Sequence, residues 1–347
     1  MKTLYNFYKK KKILITGHTG FKGSWLSIWL NKIGSELYGI SLKPEKKSIF
    51  NKLNLKTKFN ENIYLDIRNY KKLNKIIKKI NPEIIFHMAA QPLVKMSYEK
   101  PIFNFETNII GTANVLEASK KLKNLKSFII ITSDKCYLDR GKAYYKENDH
   151  LGGKDPYSAS KAAAEIVTKS YFESFYKYKK INLSTVRAGN VIGGGDWSNY
   201  RLIPDLMSSI RKKKKMILRN PNNIRPWQHV LEPLYGYLLL GSKNYKFSSS
   251  WNFGPELKNI SVLDVIKKFE NLLNKKIEIK VIKQKFYETK VLNLSIGKSK
   301  RILSWKPILG IDKSLKFTLE WYLGYFKNQN LYKLTLKQIN IFENLTK

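Results

Sequence analysis

A single cysteine, Cys136, excludes an intrachain disulfide and any metal site built from several thiolates. Such scarcity fits a reducing compartment, and a cytoplasmic location is expected. Histidine is nearly as rare: His18, His87, His150 and His229 are scattered without metal-ligand spacing, so no metal is expected. No apolar run approaches the roughly 20 residues that cross a bilayer. Met1 to Lys12 lacks the apolar core of a secretory signal, and the reading is a soluble protein with no membrane partner. Internal repeats and low-complexity linkers are missing too.

Acidic residues are few, 26 against 65 lysines and arginines, which leaves a formal net charge of +39. Arginine is the scarce base, confined to positions 68, 140, 187, 201, 211, 219, 225 and 301. The lysines are dispersed, and runs such as Lys9 to Lys12 and Lys212 to Lys215 read as solvated faces rather than phosphate tracks. No nucleic-acid partner is expected, although the positive field would draw anionic substrates.

At 347 residues, 43% of them hydrophobic, the chain can form one large α/β domain with an appendage or two modest domains. Lys12-Ile13-Leu14-Ile15-Thr16 is a short β run that breaks into Gly17-His18-Thr19-Gly20-Phe21-Lys22-Gly23, and a helical pattern with Trp25, Leu26, Ile28 and Trp29 follows until Gly34. Strand, glycine turn and helix form the context in which backbone amides at a helix N-terminus hold a dinucleotide pyrophosphate. The spacing is G-x-x-G-x-x-G rather than G-x-G-x-x-G, and a purely structural turn is the competing reading. A ribose-binding acid is expected about 20 residues later. Position 41 is instead a serine, and the nearest acid, Glu45, lies among Lys43, Lys46 and Lys47, which could accept a 2′-phosphate.

Further strands are expected at 63–65, leading into Asp66, at 83–87, leading into Ala89-Ala90-Gln91, and at 128–131. The last of these ends in Thr132-Ser133-Asp134-Lys135-Cys136-Tyr137. In an open parallel sheet ligands bind beyond the carboxyl ends of the strands, so hydroxyl, carboxylate and amine are grouped where chemistry is done. Tyr157 and Lys161 follow, four residues apart and on one helical face. A fixed positive charge beside a phenol favours phenolate and would lower its pKa from about 10 toward a working base. A sixth strand, 182–187, opens into Ala188 to Trp197. Five of the eight arginines then lie between 187 and 225, and the guanidinium fork matches phosphate; ordinary surface ion pairing is the alternative.

Together, Gly17-x-x-Gly20-x-x-Gly23, Asp66-x-Arg68, His87-x-Ala89-Ala90, Asn108 and Tyr157-x-x-x-Lys161 resemble the extended short-chain dehydrogenase/reductases. Thr16 to Leu26, Ala89 to Val94, Thr132 to Tyr137, Ala188 to Trp197 and Arg225 to Val230 resemble, more narrowly, the CDP-glucose 4,6-dehydratases. The likeness covers roughly residues 11 to 325. It implies a Rossmann-type doubly wound parallel sheet with a smaller C-terminal α/β substrate domain. The nucleotide-binding part would span 1–190, with 226–255 returning to it; residues 191–225 and 256–327 would form the substrate part, and 328–347 a C-terminal tail.

The resemblance also implies tightly held NAD and conversion of CDP-D-glucose to CDP-4-dehydro-6-deoxy-D-glucose, an early step toward bacterial dideoxysugars. Cofactor contacts are implied at Gly17, Gly20, Phe21, Gly23, Asp66, Ile67, Ala89, Ala90, Gln91, Asn108, Thr132, Tyr157 and Lys161. Asn190, Arg201, Arg219 and Arg225 would face the CDP moiety, and the loop from Gln91 to Ser97 the hexose. Tyr157, supported by Lys161, would take the C4 hydroxyl proton, Ser133 would bond the C4 oxygen and Asp134 would protonate the leaving C6 hydroxyl. Where related dTDP-glucose dehydratases carry a glutamate as the C5 base, this chain has Lys135, either as an unprotonated base or as electrostatic support for the enolate. Cys136 reads as packing, and related enzymes lead one to expect a homodimer or homotetramer.

Another sugar-nucleotide dehydratase or a 4-epimerase of the same fold is the nearest rival, but an epimerase has no use for an acid/base pair beside C5 and C6. A non-catalytic NAD-sensing protein would need the glycine loop without Tyr157, Lys161 and Asp134.

Overall fold

A computed structural model describes residues 1–141, 144–256, 259–282 and 287–346. Seven parallel strands form one sheet: β1 (Lys12–Thr16), β2 (Glu36–Ser41), β3 (Glu61–Tyr64), β4 (Ile84–His87), β5 (Ser127–Ile131), β6 (Asn182–Arg187) and β7 (Ser250–Asn252). Their order across the sheet is β7-β6-β5-β4-β1-β2-β3. β4 and β6 are buried along their whole length, as strands covered by helices on both faces must be. Alternate side chains divide between two cores: Ile13, Ile15 and Ile129 belong to one, Leu14, Phe128 and Ile130 to the other.

The chain builds outward from β1 to β3, then restarts on the other side of β1 with β4. That reversal puts the ligand crevice beyond the C-terminal ends of β1 and β4. Two loops meet there. A Cβ on Gly17, whose φ is +75°, would stand 2.6 Å from the Ala89 amide nitrogen, so only glycine allows the first loop to lie against the second.

Helix α1 (Phe21–Ile33) starts at the glycine loop and ends at Gly34, a left-handed cap. α2 (Pro156–Tyr171) carries the tyrosine–lysine pair. Asp155 caps it by accepting from the Ser158 amide at 2.9 Å, and Pro156 occupies the first turn, where its missing N–H costs no bond. Within the expected tail at 328–347, α3 (Leu331–Leu345) packs on α1. Trp29 Nε1 donates to Glu343 Oε1 at 2.8 Å, and the Trp29 and Phe342 rings meet edge to face. Past β6 the chain makes short pairings, Met216–Leu218 with Ile279–Val281 and Val191–Ile192 with Gln228–His229. Of these, Val191–Ile192 and Met216–Leu218 line the cleft described below. Among the described residues no helix is long and apolar enough to cross a membrane.

Candidate active site

The sheet edge and the smaller portion enclose a cleft of about 1000 Å³. Of the expected cofactor and catalytic residues, Gly17, Gly20, Phe21, Gly23, Asp66, Ile67, Ala89, Ala90, Thr132, Ser133, Asp134, Lys135, Tyr157 and Lys161 line it, as do Asn190, Arg201, Arg219 and Arg225. Gln91 and Asn108 do not. They lie behind the cleft wall, where Asn108 Oδ1 accepts from the Gln91 amide at 2.8 Å and its Nδ2 donates to Ser160 Oγ at 2.9 Å. Gln91 Nε2 donates to Asn104 Oδ1 at 3.0 Å, and Asn104 reaches the Pro156 carbonyl at 2.9 Å. Such fully paired amides fix the 89–93 loop against α2, a supporting role that a motif alone cannot separate from contact.

At the end of β5, Ser133 caps a short turn by accepting from the Lys135 amide at 3.2 Å, and its hydroxyl donates to Asp134 Oδ1 at 3.0 Å. Asp134 is buried and its Oδ2 has no hydrogen-bond partner among the described residues. An orphaned carboxylate oxygen in a cleft is a group waiting for a donor or a proton to transfer. Tyr157 is also buried, held by the Ser97 hydroxyl, which accepts from its amide at 3.1 Å.

The electrostatic expectation for this pair is corrected. Burial pushes the Tyr157 phenol up to about 12, against the pull of a hydrogen bond with Ser133 and of the Arg201 charge. Lys161 is not among the groups that lower it: its Nζ lies 6.0 Å from the phenol ring centroid and 3.4 Å from the Ile131 carbonyl. Burial also draws Lys161 down to about 8, with Glu165 opposing. Burial, which spacing along a helix does not reveal, sets the direction of the Tyr157 shift.

Lys22 and Glu288 were not anticipated. Lys22, inside the glycine loop, is lowered to about 7 by burial and by Arg201 and Lys161, with Asp134 and Asp196 acting the other way. Its position between Gly20 and Gly23 was the available signal. Glu288 had none, because it lies more than 150 residues from Lys135 in sequence. Its Oε1 stands 3.9 Å from Lys135 Nζ and 2.9 Å from Arg225 Nη2. The arginines divide by role: Arg201 pairs with Asp196 at 3.1 Å, Arg219 sits over the Tyr200 ring at 4.9 Å, and Arg187 is buried away from the cleft in a pair with Glu165.

The far end of the cleft fits a dinucleotide. A Cβ on Gly20 would meet only the Gly17 carbonyl, at 3.3 Å, so the loop leaves room for a phosphate at the N-terminus of α1. Ser41 does not supply an acid; it exchanges a 2.7 Å hydrogen bond with Thr19 and ties down the glycine loop. Ser41, Leu42 and Glu45 line the cleft, whereas Lys43, Lys46 and Lys47 do not. Asp66 is pinned by Arg68 in two-pronged contact, which outweighs burial and holds its carboxyl below the usual range.

Residues 14–318 match the family model described as GDP-mannose 4,6 dehydratase. The CDP-glucose 4,6-dehydratase of Salmonella typhimurium is 40% identical over 354 residues, covering 98% of each chain. The dTDP-D-glucose 4,6-dehydratase of Dictyostelium discoideum is 30% identical over 76% of this chain and 62% of that one. Among solved structures, the dTDP-glucose 4,6-dehydratase of Bacillus anthracis in complex with NAD superposes with a TM-score of 0.77, at 23% identity over 93% of this chain and 99% of that one. The UDP-glucose 4-epimerase of Thermotoga maritima with UDP-glucose gives 0.80 at 21% identity, over 90% and 99%.

Proposed function

Because this chain belongs to the GDP-mannose 4,6 dehydratase family, we propose that it is an NAD-dependent hydro-lyase that converts CDP-D-glucose to CDP-4-dehydro-6-deoxy-D-glucose. The observation that carries this reading is the grouping, in one cleft, of the buried Tyr157 phenol, the unpartnered Asp134 carboxylate and the Lys135 amine. The glycine loop and the 89–90 turn would hold NAD, which would supply a hydride acceptor for C4 and a hydride donor for C6. Tyr157, as the phenolate that the Ser133 hydrogen bond and the Arg201 charge favour against burial, takes the proton of the C4 hydroxyl, and Ser133 holds the C4 oxygen. Asp134, in its carboxylic acid form for this step, gives a proton to the C6 hydroxyl as water leaves. Lys135, as the free amine, takes the C5 proton, which is acidic once C4 is a ketone, and a proton returns to C5 after hydride reaches C6. Arg201, Arg219 and Arg225 take the diphosphate side, where planar guanidinium groups match phosphate oxygens.

A homodimer or homotetramer belongs to the same reading, supported by exposed Ile102, Ile110 and Ile166 on adjoining helices. Incubation of the protein with CDP-, dTDP- or UDP-glucose and NAD, with products identified by mass, tests the reading. The expected result is loss of one water from CDP-glucose with no net reduction of NAD. A 4-epimer of unchanged mass, or turnover restricted to dTDP- or UDP-glucose, would overturn it.

A further inference from the structure

Glu288 lines the cleft between Arg225 and Lys135, and the geometry around it is asymmetric. Arg225 is buried, and its Nη1 is fixed by the carbonyls of Ile224 at 2.8 Å and Lys290 at 3.2 Å. Those two bonds orient the guanidinium plane and leave Nη2 2.9 Å from Glu288 Oε1, an ion pair without an aligned hydrogen bond. That same Oε1 is the atom nearest Lys135 Nζ, but at 3.9 Å, beyond hydrogen-bond length. The other oxygen, Oε2, accepts from Asn220 Nδ2 at 2.8 Å and so cannot turn freely toward the lysine. Burial would raise the Glu288 carboxyl, but Arg225 and Lys135 outweigh it and hold the group ionised. One carboxylate oxygen is thus shared unequally, close to the guanidinium and loose on the ammonium.

A carboxylate oxygen and a phosphate oxygen are equivalent partners for one edge of a guanidinium. We propose that Glu288 is a positioning residue: it stands in for a nucleoside diphosphate on Arg225 while the cleft is empty, and when a diphosphate takes Arg225 its Oε1 is left to Lys135, which it draws into place. This rests on the proposed reaction, in which Lys135 acts at C5. Occupancy of the diphosphate side is then felt at the amine, and a free hexose, which leaves Arg225 on Glu288, does not organise Lys135.

Two measurements on the full chain test this. CDP alone, titrated calorimetrically, should bind Glu288→Gln more tightly than the wild type, by on the order of tenfold, because the competing charge is gone. Glu288→Asp, which keeps the charge, should bind CDP as the wild type does. With CDP-glucose and NAD, solvent exchange of the C5 hydrogen should slow about tenfold or more in Glu288→Gln, while formation of reduced nicotinamide at the C4 step keeps its rate. CDP affinity unchanged or weakened in Glu288→Gln, or equally tightened in Glu288→Asp, would overturn the competition. Undiminished C5 exchange would overturn the link to Lys135. If the wild type dehydrates no sugar nucleotide, it is the proposed reaction that fails, and the CDP titrations still report on Glu288 and Arg225.

Discussion

Gly189, just past β6, has no side chain because there is no space for one: a Cβ would overlap Asp134 Oδ2 and stand 2.7 Å from the Pro226 ring. The orphaned oxygen of Asp134 therefore owes its position to a glycine 55 residues further along the chain. Gly189→Ala is expected to push the carboxylate aside, lowering kcat roughly tenfold or more while CDP affinity stays near wild type. Steady-state kinetics beside a binding titration would show the split. At this scale the sequence was informative where chemistry is local. Ser133, Asp134 and Lys135 are consecutive, and Tyr157 and Lys161 share a helix, so their grouping was legible. Their protonation was not, because Tyr157 is governed chiefly by burial, and burial comes from elements far away in sequence.

α2 is held to the sheet by a buried pair. Glu165, one turn after Lys161, takes Arg187 through two bonds of 2.9 and 2.8 Å. It also accepts from Thr132 at 2.5 Å and Thr185 at 2.6 Å. Arg187 Nη1 goes on to Tyr137 at 2.8 Å, so β5, β6 and the 133–137 turn share one network. Arg187→Met would leave a buried, uncompensated carboxylate and is expected to cost roughly 3–5 kcal/mol, read from the chemical denaturation midpoint. Removing both charges with Glu165→Gln in the same chain should cost less than the single change. The sequence placed Arg187 among arginines suited to phosphate; the structure separates it, because only the pairing of β6 with β5 brings it over Glu165. The strands themselves were readable from apolar runs of four to six residues, whereas α3 was not assigned, since its worth lies in covering Trp29 rather than in any motif of its own.

For the whole molecule, burial of imidazoles sets the response to acid. His18 is lowered to about 4 by burial, with its bonds to Asn62 and Ile40 opposing. His87 and His229 are lowered to about 3, each chiefly by burial. Below pH 6.5 the unfolded chain binds protons at these three sites that the native state does not, so stability is lost as pH falls from 6.5 toward 4. Glu232 acts in the opposite direction: raised to about 7 by burial, it binds a proton in the native state between pH 7 and 4.5 and offsets one histidine. The net expectation is a thermal midpoint that drops steadily from pH 6.5 to 4, by an amount worth several kcal/mol. A flat profile over that range would contradict neutral burial of the histidines.

By itself the sequence determined the alternation of strand and helix, the glycine turn at the first helix and the clustering of reactive side chains at strand ends. Hydrophobic periodicity and short-range spacing encode these, and both are local properties of the chain. The strand order that opens a crevice between β1 and β4, the separation of Arg187 from the cleft and the meeting of Glu288 with Lys135 and Arg225 were decided only by the tertiary structure. Each depends on which distant segments are packed together, and on the desolvation and charge pairing that the packing imposes.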